Sequence, residues 1–162
     1  MSSAIVMVGV LTACGSVPKL ESCDDVARAT TRGGAVVSTS TGGVRVGRVV
    51  DGDTIVLADG RRVRYVGVDT PERGEPFYQE ATAYNRRLVD GARVHLLKER
   101  SDKDRFGRLL RHVIAGDILV SAELVREGLA VAKRYKPDVK FADCFDALME
   151  EAQADRRGLW RR

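Results

Sequence analysis

Three short segments of the sequence combine acidic oxygen donors with arginines. Asp51-Gly52-Asp53-Thr54 comes first, Arg64 and Asp69-Thr70-Pro71-Glu72 follow, and Asp104-Arg105-Phe106-Gly107-Arg108 lies further along the chain. Hard divalent cations prefer oxygen ligands, and a guanidinium can bind two oxygens of one phosphate. Together these groups are suited to metal-assisted cleavage of phosphodiester bonds.

Each segment taken alone has a simpler explanation. An Asp-Gly pair is common in turns, so Asp51 and Asp53 could only cap a hairpin. Asp-Thr-Pro-Glu is typical of the start of a loop or helix, and an arginine beside a glycine is usually solvated. The functional interpretation therefore depends on the order and spacing of the three segments.

This order resembles the thermonuclease, or staphylococcal nuclease, family from about Val46 to Trp160. In that family an Asp-Gly-Asp-Thr turn is followed by an arginine on the next strand and an Asp-Thr-Pro-Glu turn. An Asp-x-x-Gly-Arg loop comes after a helix and a strand. The likeness extends to Tyr135-Lys136-Pro137 and to Trp160 near the C-terminus. It implies a nuclease that cleaves DNA and RNA with little sequence specificity and leaves 3′-phosphates.

The resemblance also implies a Ca²⁺ cofactor and its ligands. Matched residue by residue, the calcium ligands are Asp53, Asp69 and the backbone carbonyl of Thr70, while Asp51 shapes the site from the outer shell. With so few protein ligands, several water molecules would remain on the cation.

Arg64, Arg108 and Glu72 match the catalytic residues of the family. The two arginines are expected to bind the reacting phosphate, with Gly107 allowing the backbone to bend before Arg108. Glu72 is expected to position the attacking water, and base catalysis remains open because a carboxylate beside a cation stays ionised. The alternative for Glu72 is an acidic residue that simply favours the turn.

The nucleotide pocket shows departures from the family. Tyr135 matches one of two family tyrosines, but Lys133 stands at the position of the other, and Phe106 stands where a tyrosine is frequent. Tyr135 and Lys133 are predicted to bind substrate, with the lysine contacting phosphate instead of stacking on a base.

The pattern of apolar residues predicts an α+β fold. Strands are expected over 44–50, 54–57, 63–68, 94–97 and 109–114, because these runs are β-branched or alternate. Helices are expected from Pro76 to Gly91, from Ser121 through Leu129, and around Phe145 up to Gly158. Five strands and three helices fit a small β-barrel with helices, and the family resemblance specifies a five-stranded OB-fold barrel.

Composition permits this function without deciding it. The 162 residues carry a net charge of +4, and the first 42 contribute three basic and three acidic residues, so the excess lies in residues 43–162. A mildly basic domain suits a polyanionic partner. No protein partner is indicated, and the domain is expected to be a monomer.

The N-terminal region has features of an export signal. Residues 1–14 are predicted to be a lipoprotein signal peptide. A short apolar run from Ala4 to Leu11 leads into Leu11-Thr12-Ala13-Cys14, which looks like a bacterial lipobox with Cys14 as the lipidated residue. No Lys or Arg precedes the run, so a short buried segment is the alternative. Residues 15–43 read as a flexible linker, and 44–162 as the folded domain. The protein is expected either in the cell envelope, where a lipid anchor would hold it to a membrane, or secreted into the medium.

The remaining cysteines and histidines leave alternatives open. Cys23 and Cys144 could pair in an oxidising compartment. Alternatively, Cys144 could be a small buried apolar residue on a helix and Cys23 a free thiol in a flexible arm. His95 and His112 are predicted to be partly exposed strand residues, neither ligands nor bases. Two other function classes also remain: a catalytically silent module that binds nucleic acid or protein, and an envelope lipoprotein whose barrel serves assembly.

Overall fold

The computed structural model describes residues 43–116 and 118–161. The signal-like segment, Cys14, Cys23 and nearly all of the linker lie outside these residues. Eight strands are present in the described part: β1 Val44–Val49, β2 Thr54–Leu57, β3 Arg62–Tyr65, β4 Val68–Asp69, β5 Arg93–Leu97, β6 Leu109–Ala115, β7 Ile118–Leu119 and β8 Val131–Ala132. The helices are α1 Tyr78–Val89, α2 Val120–Arg126 and α3 Ala142–Ala154, with a 3-10 turn at Gly158–Trp160.

Five of the strands close into a barrel. Strands β1, β2 and β3 form consecutive antiparallel pairs, β1 also pairs with β5, and β5 pairs with β6. Parallel pairing of β6 with β3 completes the circle. The predicted α+β fold, a five-stranded OB-fold barrel with three helices, is confirmed. The short pair of β4 with β8 lies outside the barrel and was not predicted.

Alternating residues of the barrel strands form the core. Ile55, Leu57, Val63 and Tyr65 are at most 1% exposed, and Val46 lies beside them. Aromatic residues of α3 and apolar residues of α2 extend this core on one side of the barrel. Because every second side chain of a strand points the same way, the remaining positions of β1–β3 form the outer face, where the polar residues lie.

Two predicted elements have different bounds in the structure. The third strand ends at Tyr65 instead of Val68, because Gly67 has a positive φ of 79° and turns the chain into β4. The first helix begins at Tyr78 instead of Pro76. Phe77 immediately before it has a φ of 68°, outside the helical range.

The later helices are shorter than predicted. Helix α2 ends at Arg126 because Gly128 adopts a φ of 66°, so Leu129 lies beyond the helix. Helix α3 ends at Ala154, before Gly158, since Arg156 has a left-handed φ of 53°. Gly158 instead lies against Gly128, where an added Cβ would meet the Gly128 carbonyl oxygen at 2.3 Å. This approach holds the C-terminal turn on α2.

His112 is not partly exposed as predicted. Its side chain is 1% exposed, and its Nε2 lies 3.1 Å from a carboxylate oxygen of Glu99, with the ring edge-on to Phe141. Burial lowers the pKa of His112, and Glu99 opposes part of this effect. His95 is half-buried, as expected.

Cys144 is buried on α3, and it is disulfide-bonded. The burial of Cys144 on a helix is as expected, but the alternative in which it forms no disulfide is wrong. The predicted pairing with Cys23 lies outside the described residues. Within the described part, no helix has the length and apolar character to cross a membrane.

Candidate active site

Asp53 is the centre of a buried hydrogen-bond network. It lies in the turn between β1 and β2, is 5% exposed, and accepts a hydrogen bond from the Thr54 hydroxyl at 3.1 Å. Its other oxygen accepts two bonds from Thr70, one from the backbone N–H and one from the hydroxyl, each of 2.9 Å. Two turns that are 17 residues apart are thereby joined through a single carboxylate.

Gly52 lets these two turns approach each other. A Cβ at this position would lie 2.7 Å from both Cβ and Oγ1 of Thr70. Non-bonded carbon atoms prefer separations of about 3.5–4.0 Å. A larger residue would therefore displace Thr70, so the glycine is required by packing against the second turn.

Arg64 bridges the two predicted metal-ligand carboxylates. Its Nε lies 3.2 Å from Asp53 and its Nη2 lies 2.7 Å from Asp69, with the arginine side chain 13% exposed. The remaining nitrogen donates to the backbone carbonyls of Tyr65 and Val68 at 2.9 Å. These contacts fix the guanidinium on the outer face of β3 and show that both carboxylates border the same small space.

Asp51 adds a third carboxylate, which helix α1 supports. Asp51 accepts a bond from the Asp53 backbone N–H at 3.2 Å. The Asn85 side chain donates to the Asp51 carbonyl, and its own oxygen accepts a bond from the Tyr65 hydroxyl, each at 2.8 Å. Burial, followed by the nearby charge of Asp53, raises the pKa of Asp51. Negative charge is thus concentrated in this turn.

The residues present are compatible with a hard cation. Three carboxylates, those of Asp51, Asp53 and Asp69, lie in two adjoining turns with one guanidinium, Arg64, between two of them. Three carboxylates beside one guanidinium leave an excess of negative charge, which favours a bound cation, and carboxylate and carbonyl oxygens are the ligands of calcium and magnesium. In the described part, no three or more His, Cys, Asp or Glu side chains are grouped so that they could hold a metal ion together. A cation here would therefore keep water among its ligands.

Arg108 lies at the end of a loop ordered by Asp104. The Asp104 carboxylate accepts backbone bonds from Phe106 and Arg108, and the Arg108 Nε donates to it at 2.6 Å. Burial raises the pKa of Asp104, but these hydrogen bonds outweigh it and the net pKa is lowered. Gly107 has the positive φ of 76° that its predicted bend requires. Arg108 lies two residues before Leu110, the register partner of Arg64.

Glu72 is exposed at the start of the loop after Asp69, and its backbone N–H donates to the Glu75 carboxylate at 2.6 Å. The structure gives it no contact with Asp53, Asp69 or Arg64. Its predicted role in positioning water stays a prediction.

A pocket of about 520 Å³ adjoins the second of the two turns, that of Asp69 and Thr70. Its lining includes Asp69, Thr70, Phe77 and Lys133. Lys133 donates its backbone N–H to the Gly67 carbonyl at 2.9 Å, which places it beside β4. The pocket is thus open to the candidate site, and the predicted contact of Lys133 with substrate stays a prediction.

Tyr135, the other predicted substrate residue, lies in an exposed turn and is itself 54% exposed. The turn is held by Asp138, whose backbone N–H donates to the Tyr135 carbonyl and whose carboxylate accepts from the amides of Arg100 and Ser101. Burial raises the pKa of Asp138, but the hydrogen bonds it accepts lower it overall. Tyr135 does not line the pocket next to Thr70.

Comparison of the sequence with known proteins shows the family. Residues 62–162 match the model of a family described as staphylococcal nuclease homologue. The chain belongs to the staphylococcal nuclease family. A thermonuclease of Staphylococcus intermedius is 38% identical over 126 residues, which cover 72% of this chain and 75% of that protein. A thermonuclease of Staphylococcus hyicus is 35% identical and covers 72% and 74% respectively. Endonuclease YncB of Bacillus subtilis is 37% identical over 72% of this chain and 61% of its own length.

Within this member of the staphylococcal nuclease family, the supporting roles of three residues were not predicted. Asn85 joins α1 to the Asp51 turn, Asp104 orders the loop of Arg108, and Asp138 fixes the turn of Tyr135. Asp104 was identified as the first residue of the Asp-x-x-Gly-Arg loop, but its role in ordering that loop was not. Asn85 carried a signal as a polar residue next to the apolar stripe that includes Ala81 and Leu88, whereas nothing in the sequence indicated Asp138.

Proposed function

We propose that this protein is a calcium-dependent nuclease that hydrolyses phosphodiester bonds of DNA and RNA with little sequence preference and leaves 3′-phosphates. Nuclease relatives of similar sequence support a metal-dependent hydrolase that acts on nucleic-acid ester bonds. The finer statements on calcium, substrate range and product are part of the proposal.

One observation carries the proposal: Arg64 contacts Asp53 at 3.2 Å and Asp69 at 2.7 Å. Phosphoryl transfer requires positive charge beside the reacting oxygens. Adjoining carboxylates that bind a cation, together with an arginine, can place such charge around one phosphate. Asp53, Asp69 and the Thr70 carbonyl would hold the cation. A bound divalent cation supplies a positive charge that stabilises the charge developing on the phosphoryl oxygens.

The chain's own side chains have separate roles in the proposed reaction. Arg64 is held in place by two backbone carbonyls, so its guanidinium is already oriented before a phosphate binds. Arg108 lies in the adjoining loop, where it would bind the same phosphate and stabilise the leaving oxygen. Glu72 would accept a hydrogen bond from the attacking water and orient it.

The test is a cleavage assay on purified protein with labelled DNA and RNA, with added calcium and with excess chelator. We expect cleavage with calcium and none with chelator. Asp69→Asn should lose the calcium-dependent cleavage, whereas Asp59→Asn, which changes an exposed carboxylate in the β2–β3 turn, should not. Undiminished cleavage in chelator would refute the metal requirement, and nucleic-acid binding with no cleavage under any condition would favour the silent module.

We also propose that the protein is exported and lipidated at Cys14. The support is the sequence pattern alone, since Cys14 lies outside the described residues. Two or more acyl chains give stable membrane anchoring, whereas one is marginal. After expression in a bacterium, wild type should enter the detergent phase and Cys14→Ser should not. Equal partitioning of both proteins into the aqueous phase would contradict this proposal.

A further inference from the structure

Two arginines lie in register on the outer face of the barrel and lead to Arg64. Arg48 on β1 is the register partner of Val56 on β2, which is in turn the partner of Arg62 on β3. Arg64 follows two residues later on the same strand, so its side chain leaves from the same face. We call Arg48 and Arg62 the arginine row.

A β-bulge is responsible for the outward position of Arg48. Val46 pairs with Leu57 and Arg48 pairs with Val56, so β1 contains one extra residue, Gly47, at this point. Without it, strict alternation would place Arg48 on the same face as Val46, which is 1% exposed in the core. A Cβ on Gly47 would lie 3.1 Å from the Leu57 carbonyl oxygen, which favours a glycine at the bulge.

The charges of the arginine row are not neutralised by neighbouring carboxylates. Arg48 and Arg62 are exposed, and within residues 43–116 and 118–161 neither forms an ion pair. The carboxylate closest in sequence to Arg62, Asp59, pairs with Arg61 at 2.6 Å instead. In contrast, Arg64 and Arg108 both contact carboxylates. The row is therefore available to an external anion.

The spacing of the row suits a chain of phosphates. Adjacent strands are about 4.8 Å apart, so the backbones of Arg48 and Arg62 are separated by about 10 Å, and those of Arg62 and Arg64 by about 7 Å. A nucleic-acid strand carries a charge about every 3.4 Å along its axis, so one strand can contact all three arginines together. The three arginines form a bent path with Arg62 at its corner, because Arg48 and Arg62 are aligned across the strands whereas Arg62 and Arg64 lie along one strand. A flexible single strand can follow such a path with its sugar-phosphate backbone.

We propose that Arg48 and Arg62 bind backbone phosphates that flank the scissile bond in single-stranded nucleic acid. This inference rests on the proposed nuclease function and adds that a polynucleotide, longer than the two nucleotides at the scissile bond, is the preferred substrate. The row contacts phosphates only, so it contributes affinity without sequence preference.

The test compares two double variants that each remove two positive charges. Arg48→Gln with Arg62→Gln removes the row, and Arg86→Gln with Arg156→Gln removes two other exposed arginines that form no ion pair in the described part. Binding of a fluorescein-labelled oligothymidylate of about 16 nucleotides is followed by anisotropy in chelator, over a range of salt concentrations. Circular dichroism verifies that both variants are folded.

Each phosphate contact to a single strand contributes about 0.7 to the slope of log affinity against log salt. Loss of the row should therefore reduce the slope by about 1.4 and weaken binding about 25-fold near 0.1 M salt. The control variant should stay within about twofold of wild type, since its arginines lie on α1 and after α3 and belong to none of the strands that carry the row. Equal slopes for the two variants would overturn the proposal.

Cleavage kinetics separate this proposal from the nuclease function itself. With calcium, kcat/KM for the oligonucleotide should fall with loss of the row, whereas kcat/KM for a dinucleoside monophosphate, which has no flanking phosphate, should not change. A comparable fall for both substrates would place the row at the scissile phosphate and overturn the proposal. If wild type cleaves neither substrate, the nuclease function fails, while the anisotropy measurement still decides whether the row binds phosphates.

Discussion

Replacement of Asp53 should separate its structural role from its role in cation binding. The Asp53 carboxylate accepts two bonds from Thr70 and one from Thr54, and it lies 3.2 Å from Arg64. In Asp53→Ala the buried N–H of Thr70 loses its acceptor. In Asp53→Asn the amide oxygen can still accept from Thr70, although the negative charge is lost.

The expected stability changes follow from these contacts. A buried donor without a partner costs about 1–3 kcal/mol, and the lost hydrogen bonds to a charged group add about 1–2 kcal/mol. Relief of the repulsion between Asp53 and the neighbouring carboxylates of Asp51 and Asp69 returns about 1 kcal/mol, since charge pairs at this range are partly screened. Without calcium, Asp53→Ala should therefore be destabilised by about 3 kcal/mol and Asp53→Asn by about 1 kcal/mol.

Thermal unfolding followed by circular dichroism in chelator measures both values. A loss of 3 kcal/mol corresponds to a fall in Tm of roughly 10 °C or more for a domain of this size. Added calcium should raise the Tm of wild type, because a ligand that binds only the folded state stabilises it, and should not raise that of either variant. If Asp53→Ala is as stable as wild type in chelator, the buried Thr70 donor has another acceptor and this reasoning is wrong.

Three further variants test other contacts. Arg108→Lys should lower kcat about 10²-fold with little change in Tm, because one ammonium cannot reproduce a two-pronged phosphate contact; near-normal turnover would refute that contact. Gly52→Ala should displace Thr70 and cost about 1–3 kcal/mol in urea unfolding, and an unchanged midpoint would contradict the close approach. Because the pKa of His112 is lowered in the folded state, stability should fall as pH decreases from about 7 to 5, where the unfolded chain binds the proton first. His112→Gln should flatten this dependence, and an identical slope would exclude His112 as its source.

The candidate site was predicted largely from local sequence. The family pattern of residue types and spacing was sufficient to propose Asp53, Arg64 and Asp69 as site residues. Several contacts in this site join residues that are close together in the sequence. Arg64 and Asp69, for example, are five residues apart and form their ion pair across the turn at Gly67. The strands of the barrel were similarly visible, since alternation of buried and exposed residues is a property of each strand.

Other features required the folded chain. The start of α1 and the end of β3 depend on single residues, Phe77 and Gly67, which have a left-handed backbone conformation. The periodicity of apolar residues does not indicate such a conformation. His112 was expected to be partly exposed. The alternation of residues along a strand does not indicate which helices or loops will pack over that strand. The burial of His112 comes from packing against Phe141, 29 residues later in the chain.

The sequence by itself determined the family, the order of the five barrel strands and three helices, and which residues are candidates for phosphodiester cleavage, because these depend on residue type and local spacing. The tertiary structure decided which groups support them. Asn85 reaches Asp51 from 34 residues away, and Thr70 reaches Asp53 from 17 residues away. The bulge at Gly47 brings Arg48 to the outer face. Such contacts result from the register and closure of the barrel, and a linear pattern contains no measure of either.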